Sequence, residues 1–126
     1  MKRSPMKATR RPIRARSAKA VARDEARRAC VAAVIARDRV CQFPVLLELY
    51  EAQHGFEMPL KQEDRCCRGA LVAHEPKHRR NVDPTDPANC LAACVFHNGR
   101  AEGLGYVAFD IGFLERGNGE PYRRRG

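Results

Sequence analysis

Residues 89–98 read Asn-Cys-Leu-Ala-Ala-Cys-Val-Phe-His-Asn, and this stretch decides the predicted fold. Within it two residues separate Cys94 from His97, a spacing that lets both side chains point at one tetrahedral ion. Cys and His are also common as simple core residues, so the pair indicates a metal site only if further ligands can complete it.

Two more thiols can complete such a site. Cys67 lies 26 residues after Cys41 and 27 residues before Cys94. We therefore predict a structural zinc ion held by Cys41, Cys67, Cys94 and His97, which would contribute on the order of 10 kcal/mol of folding free energy. Cys66 is an alternative to Cys67, because adjacent thiols cannot easily bind one ion together without backbone strain.

The other cysteines do not indicate a disulfide framework. The chain shows no secretory signal peptide and no apolar run near the ~20 residues that a membrane-spanning helix needs. Without a secretory context, six cysteines are better explained as thiols or metal ligands. Cys30 falls in a helical pattern and Cys90 on a predicted strand, and we interpret both as small buried hydrophobic residues. The expected location is the cytoplasm, of the host cell if the protein is viral, with no membrane partner.

The net charge of +9 is concentrated at the start of the chain. Residues 1–28 contain eleven Lys and Arg against two acidic residues, whereas residues 29–126 contain thirteen of each. A basic arm of this kind favours binding to a polyanion, since each phosphate that it neutralises releases counterions. A solubilising tail, a localisation signal and an organelle transit peptide are the alternatives.

The spacing of apolar and turn residues predicts one small α+β domain. Pro44 is expected to interrupt the pattern, residues 51–65 read as a surface loop, and a helix should start after His97. The predicted organisation is a basic disordered arm (1–16), an amphipathic helix (17–38), a zinc-stabilised domain with short strands at 71–73 and 90–93 (39–116) and a flexible tail (117–126).

Four short stretches occur in an order that resembles HNH endonucleases of the phage or actinobacterial zinc-knuckle type. They are ARDRVCQ (36–42), CRGALVAHE (67–75), DPTDPAN (83–89) and CVFHN (94–98), and the resemblance covers about residues 33–103. It implies a small ββα-metal core, in which two strands and a helix surround a divalent ion, Mg²⁺ or Mn²⁺. It also implies a phosphodiester hydrolase that cuts DNA, and by analogy alone it suggests viral packaging proteins as partners.

The resemblance also implies catalytic residues. His74 matches a ligand of the catalytic cation, Glu75 stands where a His usually acts as the general base, Asn89 would orient that base, and Asn98 would replace the last metal-binding His. An amide oxygen is a suitable ligand for a hard cation. In a register shifted by one residue, His74 is itself the base and Ala73 occupies the ligand position.

Basic residues near these positions are candidates for contacts with DNA, and the set is Lys77, His78, Arg79, Arg80, Arg23 and Arg27. Three functions remain open at this point. The leading one is a metal-dependent DNA endonuclease, the second is a non-catalytic zinc-dependent DNA-binding module, and the third is a small structural zinc protein with a protein partner.

Overall fold

The computed structural model describes residues 16–77 and 82–116. They form an α+β fold that consists of α1 (Ala18–Asp38), α2 (Gln42–His54), α3 (Gln62–Arg65), β1 (Leu71–His74), a 3₁₀ turn (Pro87–Asn89), β2 (Leu91–Cys94), α4 (Val95–Arg100), a second 3₁₀ turn (Glu102–Leu104) and α5 (Tyr106–Asp110). The predicted arm, apart from Arg16, and the predicted tail lie outside the described residues.

Helix α1 follows directly from its sequence. Its Ala-rich composition favours helix, and the Ser17 side chain accepts a hydrogen bond from the Ala20 N–H at 3.1 Å, which caps the first turn. The helix ends where Arg39 adopts a left-handed conformation with φ 65°, so that its N–H reaches the Ile35 carbonyl. The result is a 21-residue helix in the part of the chain where the pattern predicts one.

The two strands form an antiparallel sheet in which Ala73 pairs with Ala92 and Val72 pairs with Ala93. Neighbouring residues of a strand point to opposite faces. One face of the sheet, at Ala73 and Ala92, packs on α1 through Val34. The other face contributes Ala93 to the main core. The sheet therefore lies between α1 and the rest of the protein.

Helix α2 corrects two predictions. Pro44 does not interrupt the pattern, because it lies in the first turn of α2, where a helix makes no use of the N–H that proline lacks. Residues 51–65 are not one surface loop either. Helix α2 continues to His54, and the short α3 forms further on. Between them, the Glu51 carboxylate accepts two hydrogen bonds from Arg65, each 3.0 Å long, which folds this segment back onto α2.

The main core is built on two fully buried rings. Phe43 of α2 and Phe113 meet edge to face with ring centroids 5.1 Å apart. Both belong to the cluster that includes Met58, Leu104 and Val107. The last apolar segment of the chain thus closes over α2 and the sheet.

Helix α1 is also bonded to the loop that leads into β2. Arg37 donates to the carbonyls of Pro87 and Cys90, and the Asp38 carboxylate accepts from the Ala92 N–H at 2.8 Å. The hydrogen bond from Arg37 to Asp38, together with the Ala92 N–H, lowers the pKa of Asp38 below its ordinary value. The helix is therefore an integral part of the fold.

Among the described residues, no helix is long and apolar enough to cross a membrane.

Because of this packing, we expect two Val→Ala substitutions on α1 to lower the free energy of unfolding by different amounts. Val34 is completely buried against the sheet, whereas Val21 is 40% exposed. We expect V34A to lower the free energy of unfolding by about 2 kcal/mol, because it leaves a cavity, and V21A to change it by less than about 0.5 kcal/mol. Urea denaturation of both variants measures the difference, and equal effects would contradict the docking of α1.

Candidate metal centre and adjoining cleft

Three cysteines and one histidine converge at the junction of four chain segments. Cys41 precedes α2, Cys67 follows α3, Cys94 ends β2, and His97 lies in α4. One donor atom from each lies within 4.8 Å of all the others. The four residues are those that the spacing predicts, and they form a group that could hold a metal ion such as zinc.

The distances fit a tetrahedral ion. The Sγ atoms of Cys41, Cys94 and Cys67 lie 3.4, 3.2 and 3.8 Å from His97 Nδ1. Zinc bonds of about 2.3 Å to sulfur and about 2.0 Å to nitrogen, arranged tetrahedrally, separate the two ligand atoms by about 3.5 Å. Little movement of the side chains would therefore be needed to bind the ion.

The tautomer of His97 suits the same role. Its Nε2–H donates to the Asp64 carbonyl at 2.8 Å, which leaves the lone pair of Nδ1 directed at the three thiols. Asp64 is held in turn by Arg100, whose Nε lies 3.1 Å from the carboxylate. The segment after α2, which the sequence presents as a plain loop, thus supplies the group that orients a ligand.

The electrostatics of the cysteine and histidine group disfavour three thiolates without a cation. Burial raises the pKa of Cys41, and burial with the neighbouring thiols raises the pKa of Cys67 to about 12. Burial would also raise the pKa of Cys94, but the backbone N–H groups of His97 and Arg68 outweigh it and lower that pKa. A divalent cation offsets this crowding of negative charge, and that is the chemistry a zinc ion supplies.

Cys66 stands apart from the group. Its exposed thiol lies 3.9 Å from Gln62 Nε2, and the side chain that turns towards His97 is that of Cys67. Of the two alternatives that the sequence leaves open, the structure therefore selects Cys67.

A second constellation surrounds His74, at the end of β1. The residue is 4% exposed, and its ring stacks on that of Phe113 with centroids 4.1 Å apart. His74 Nε2 lies 2.7 Å from the Phe113 carbonyl, and Nδ1 lies 2.9 Å from the Asn98 side-chain amide. Because a carbonyl only accepts, Nε2 carries the proton in the neutral ring and Nδ1 carries the lone pair. The Asn98 atom at 2.9 Å is Oδ1, so a neutral His74 of this tautomer requires the Asn98 amide to turn by 180° and present its NH₂ group to Nδ1.

The other predicted catalytic residues are placed differently. Glu75 forms an ion pair with Arg27 of α1, with 3.0 Å between carboxylate and guanidinium. Asn89 donates to the Asp83 carbonyl at 3.1 Å and so closes the turn-rich loop. Phe113 supplies the carbonyl that orients His74, and the sequence carries no signal for it, since any residue has a backbone carbonyl.

A cleft of about 500 Å³ opens beside His74. Asn98 and Glu75 line it together with the carboxylates of Glu102 and Glu115, and Phe109 forms part of its apolar wall. Within residues 16–77 and 82–116, the cysteine and histidine group at His97 is the one set of three or more His, Cys, Asp or Glu side chains that converges closely enough to bind a metal. The cleft thus offers oxygen donors without a closed cation site.

The predicted nucleic-acid contacts are partly described. Arg23 is exposed on α1, and Lys77 lies 3.7 Å from Glu115. Arg27 turns inward, where it donates to the carbonyls of Ala73 and Pro84. His78, Arg79 and Arg80 lie outside the described residues.

No protein-family model, curated protein or solved structure matches the chain.

The metal centre predicts different outcomes for two adjacent alanine variants. C67A removes a ligand, so zinc content should fall well below one ion per chain and the protein should be markedly destabilised. C66A should retain one zinc ion and the stability of the original chain. Elemental analysis after gel filtration, paired with thermal unfolding, makes the comparison, and loss of zinc in C66A alone would show that the wrong thiol has been assigned.

Proposed function

We propose that this protein is a metal-dependent DNA endonuclease of the HNH type, which hydrolyses phosphodiester bonds with His74 as its general base. The observation that carries the proposal is the hydrogen bond from His74 Nε2 to the Phe113 carbonyl, because it assigns the lone pair of the neutral ring to Nδ1, which faces Asn98, and both residues line the cleft. A histidine oriented in this way can accept a proton from a water molecule. This corresponds to the register in which His74, and not Glu75, is the base.

The pairing of Glu75 with Arg27 supports that choice. The Arg27 guanidinium lies 3.0 Å from the Glu75 carboxylate, so the position of this carboxylate is set by an ion pair with α1. Phe113 contributes a carbonyl and a stacked ring, which fix the orientation of the His74 imidazole. In the proposed reaction Asn98 gives up its bond to His74 Nδ1 as the attacking water takes its place.

The cleft suits a loosely held cation. Mg²⁺ is usually bound by one or two protein oxygens together with substrate phosphates and water, and the Asn98 amide and the Glu102 carboxylate offer such oxygens beside His74. When bound, Mg²⁺ or Mn²⁺ would neutralise the charge that builds up on the phosphate and the leaving oxygen. The proposed core is accordingly of the ββα-metal type, formed by β1, β2 and α4.

The zinc centre supports this arrangement mechanically. Asn98 directly follows the ligand His97 in α4, and α4 is fastened to the chain before β1 by bonds from Val95 N to the Ala70 carbonyl and from Phe96 N to the Arg68 carbonyl. A zinc ion at Cys94 and His97 would therefore hold Asn98 at a constant distance from His74. DNA is the proposed substrate because of the nine net positive charges in residues 1–28.

The proposal predicts the loss of plasmid nicking in two variants. With Mg²⁺ or Mn²⁺, we expect H74A to lower the nicking rate by about 10²–10⁴-fold, the usual contribution of a general base. N98A should lower it by about tenfold or more, and its side chain is exposed, so the fold should survive. H54A, which replaces an exposed histidine of α2, is the matched control and should nick at the original rate.

Zinc content and circular dichroism show whether each variant is still folded. A folded variant that has lost nicking lacks a catalytic group, whereas an unfolded variant does not test the proposal. Plasmid left intact by the zinc-loaded protein with either cation would refute the endonuclease, as would nicking by folded H74A and N98A at the original rate.

A specific observation favours a second candidate, a non-catalytic zinc-dependent DNA-binding module. Both ring nitrogens of His74 are engaged, and the residue is only 4% exposed, as expected of a structural histidine. This candidate shares the zinc centre and the basic arm with the endonuclease and differs only in the absence of nicking.

Both candidates predict salt-sensitive binding to DNA that depends on the arm. Deleting residues 1–15 removes six basic side chains but keeps Ser17 and the whole of α1. If all six contact phosphates, the slope of log K against log salt should become shallower by about 5. Fluorescence anisotropy at several salt concentrations measures the slope. An unchanged slope would show that the arm does not contact DNA, and no binding even at low salt would favour a structural zinc protein with a protein partner.

A further inference from the structure

Two cysteines outside the candidate metal centre meet on the face of the sheet that α1 covers. Cys30 of α1 and Cys90, just before β2, have their Sγ atoms 3.8 Å apart, and each residue is only 2% exposed. They belong to the small core cluster with Val34, Ala73 and Ala92. The sequence presents them as unrelated hydrophobic residues 60 positions apart.

We propose that Cys30 and Cys90 form a modification site, at which a peroxide oxidises the two thiols to a disulfide. This disulfide would link α1 to the segment that leads into β2. The sulfur atoms need to approach by less than 2 Å to reach a disulfide bond of about 2.05 Å. Cys30 lies in a long helix, and Cys90 lies at the end of a 3₁₀ turn. Because the turn is the shorter element, we expect Cys90 to make most of the movement that brings the sulfur atoms together.

A positive charge beside the pair assists the reaction. Arg27 Nη1 lies 3.8 Å from Cys90 Sγ, where the guanidinium stabilises the Cys90 thiolate. Burial nevertheless raises the pKa of Cys90 to about 11, together with the neighbouring Cys30 thiol. The pair therefore persists as thiols in the absence of an oxidant.

The reaction balances with hydrogen peroxide as the oxidant. The Cys90 thiolate attacks one peroxide oxygen, the O–O bond breaks, and hydroxide leaves with the electron pair, which gives a sulfenic acid on Cys90. Cys30 sulfur then attacks Cys90 sulfur, the S–O bond breaks, and the hydroxyl group leaves as water with the Cys30 proton. Two thiols are oxidised, and one peroxide is reduced to two water molecules.

The disulfide would act on the position of α1. It would close a loop of about 60 residues, and cross-links of this span stabilise proteins mainly by restricting the unfolded chain. It would also hold Arg27 and Arg37 against the carbonyls of the loop before β2. The inference stands independently of the proposed nuclease activity, because it concerns only the attachment of α1.

The test treats zinc-loaded C66A protein with hydrogen peroxide, since C66A removes an exposed thiol that could link two chains. Remaining thiols are then alkylated in denaturant, and the protein is digested without reduction and examined by mass spectrometry. We expect a linked peptide that contains Cys30 and Cys90, with the other three cysteines alkylated and zinc retained. The unfolding temperature should rise by roughly 10 °C and return to its starting value with dithiothreitol.

The matched variant is C30A in the same C66A background, which should show neither the linked peptide nor the rise in unfolding temperature. The peptide map of C66A decides the question even if C30A folds poorly. Recovery of Cys30 and Cys90 as alkylated thiols, at peroxide doses that already oxidise the zinc ligands or release zinc, would overturn the proposal.

Discussion

The convergence of three thiols and one imidazole on a common point is the constraint on which the rest of the structure depends. Cys41, Cys67, Cys94 and His97 come from separate segments, and their donor atoms all lie within 4.8 Å of one another. A small domain gains limited stability from its apolar core alone. A metal ion at this point would tie α2, the segment after α3, β2 and α4 together, and so would hold the end of β1 relative to α4.

The second constraint is the attachment of α1. This helix covers one face of a two-stranded sheet. A sheet of two strands is at best marginally stable by itself, so it needs such a packing partner. Its buried side chains pack on Ala73 and Ala92, and its polar side chains Arg27, Arg37 and Asp38 satisfy backbone groups around the strands. The cleft beside His74 therefore lies at the end of a sheet that packs on α1 through Ala73 and Ala92 and contributes Ala93 to the main core.

The sequence predicts the metal centre better than it predicts the cleft, for a physical reason. Metal ligands are restricted to a few residue types at short spacings, so the Cys94 and His97 pair indicates a metal site. Cys67 and Cys41 supply the remaining two predicted ligands. The α+β class, the position of α1 and the two strands also follow from periodicity and capping. The choice between Cys66 and Cys67 does not, because adjacent residues differ only in the direction of their side chains.

What the sequence could not predict depends on backbone groups and long-range contacts. The carbonyl that orients His74 belongs to Phe113, the one that orients His97 belongs to Asp64, and a carbonyl has no residue signature. The prediction for Pro44 is wrong because a proline in the first turn of a helix and a proline that ends a helix look alike along the chain. Arg27 is predicted on a basic surface, but its partner Glu75 directly follows β1, and their proximity is visible only after folding.

X-ray absorption at the zinc edge, on the full chain purified without added metal, tests whether the three thiols and the imidazole bind zinc. We expect one zinc ion per chain with three sulfur atoms at about 2.3 Å and one nitrogen atom at about 2.0 Å. Protein that folds without zinc, or a coordination shell made mainly of oxygen and nitrogen, would contradict it.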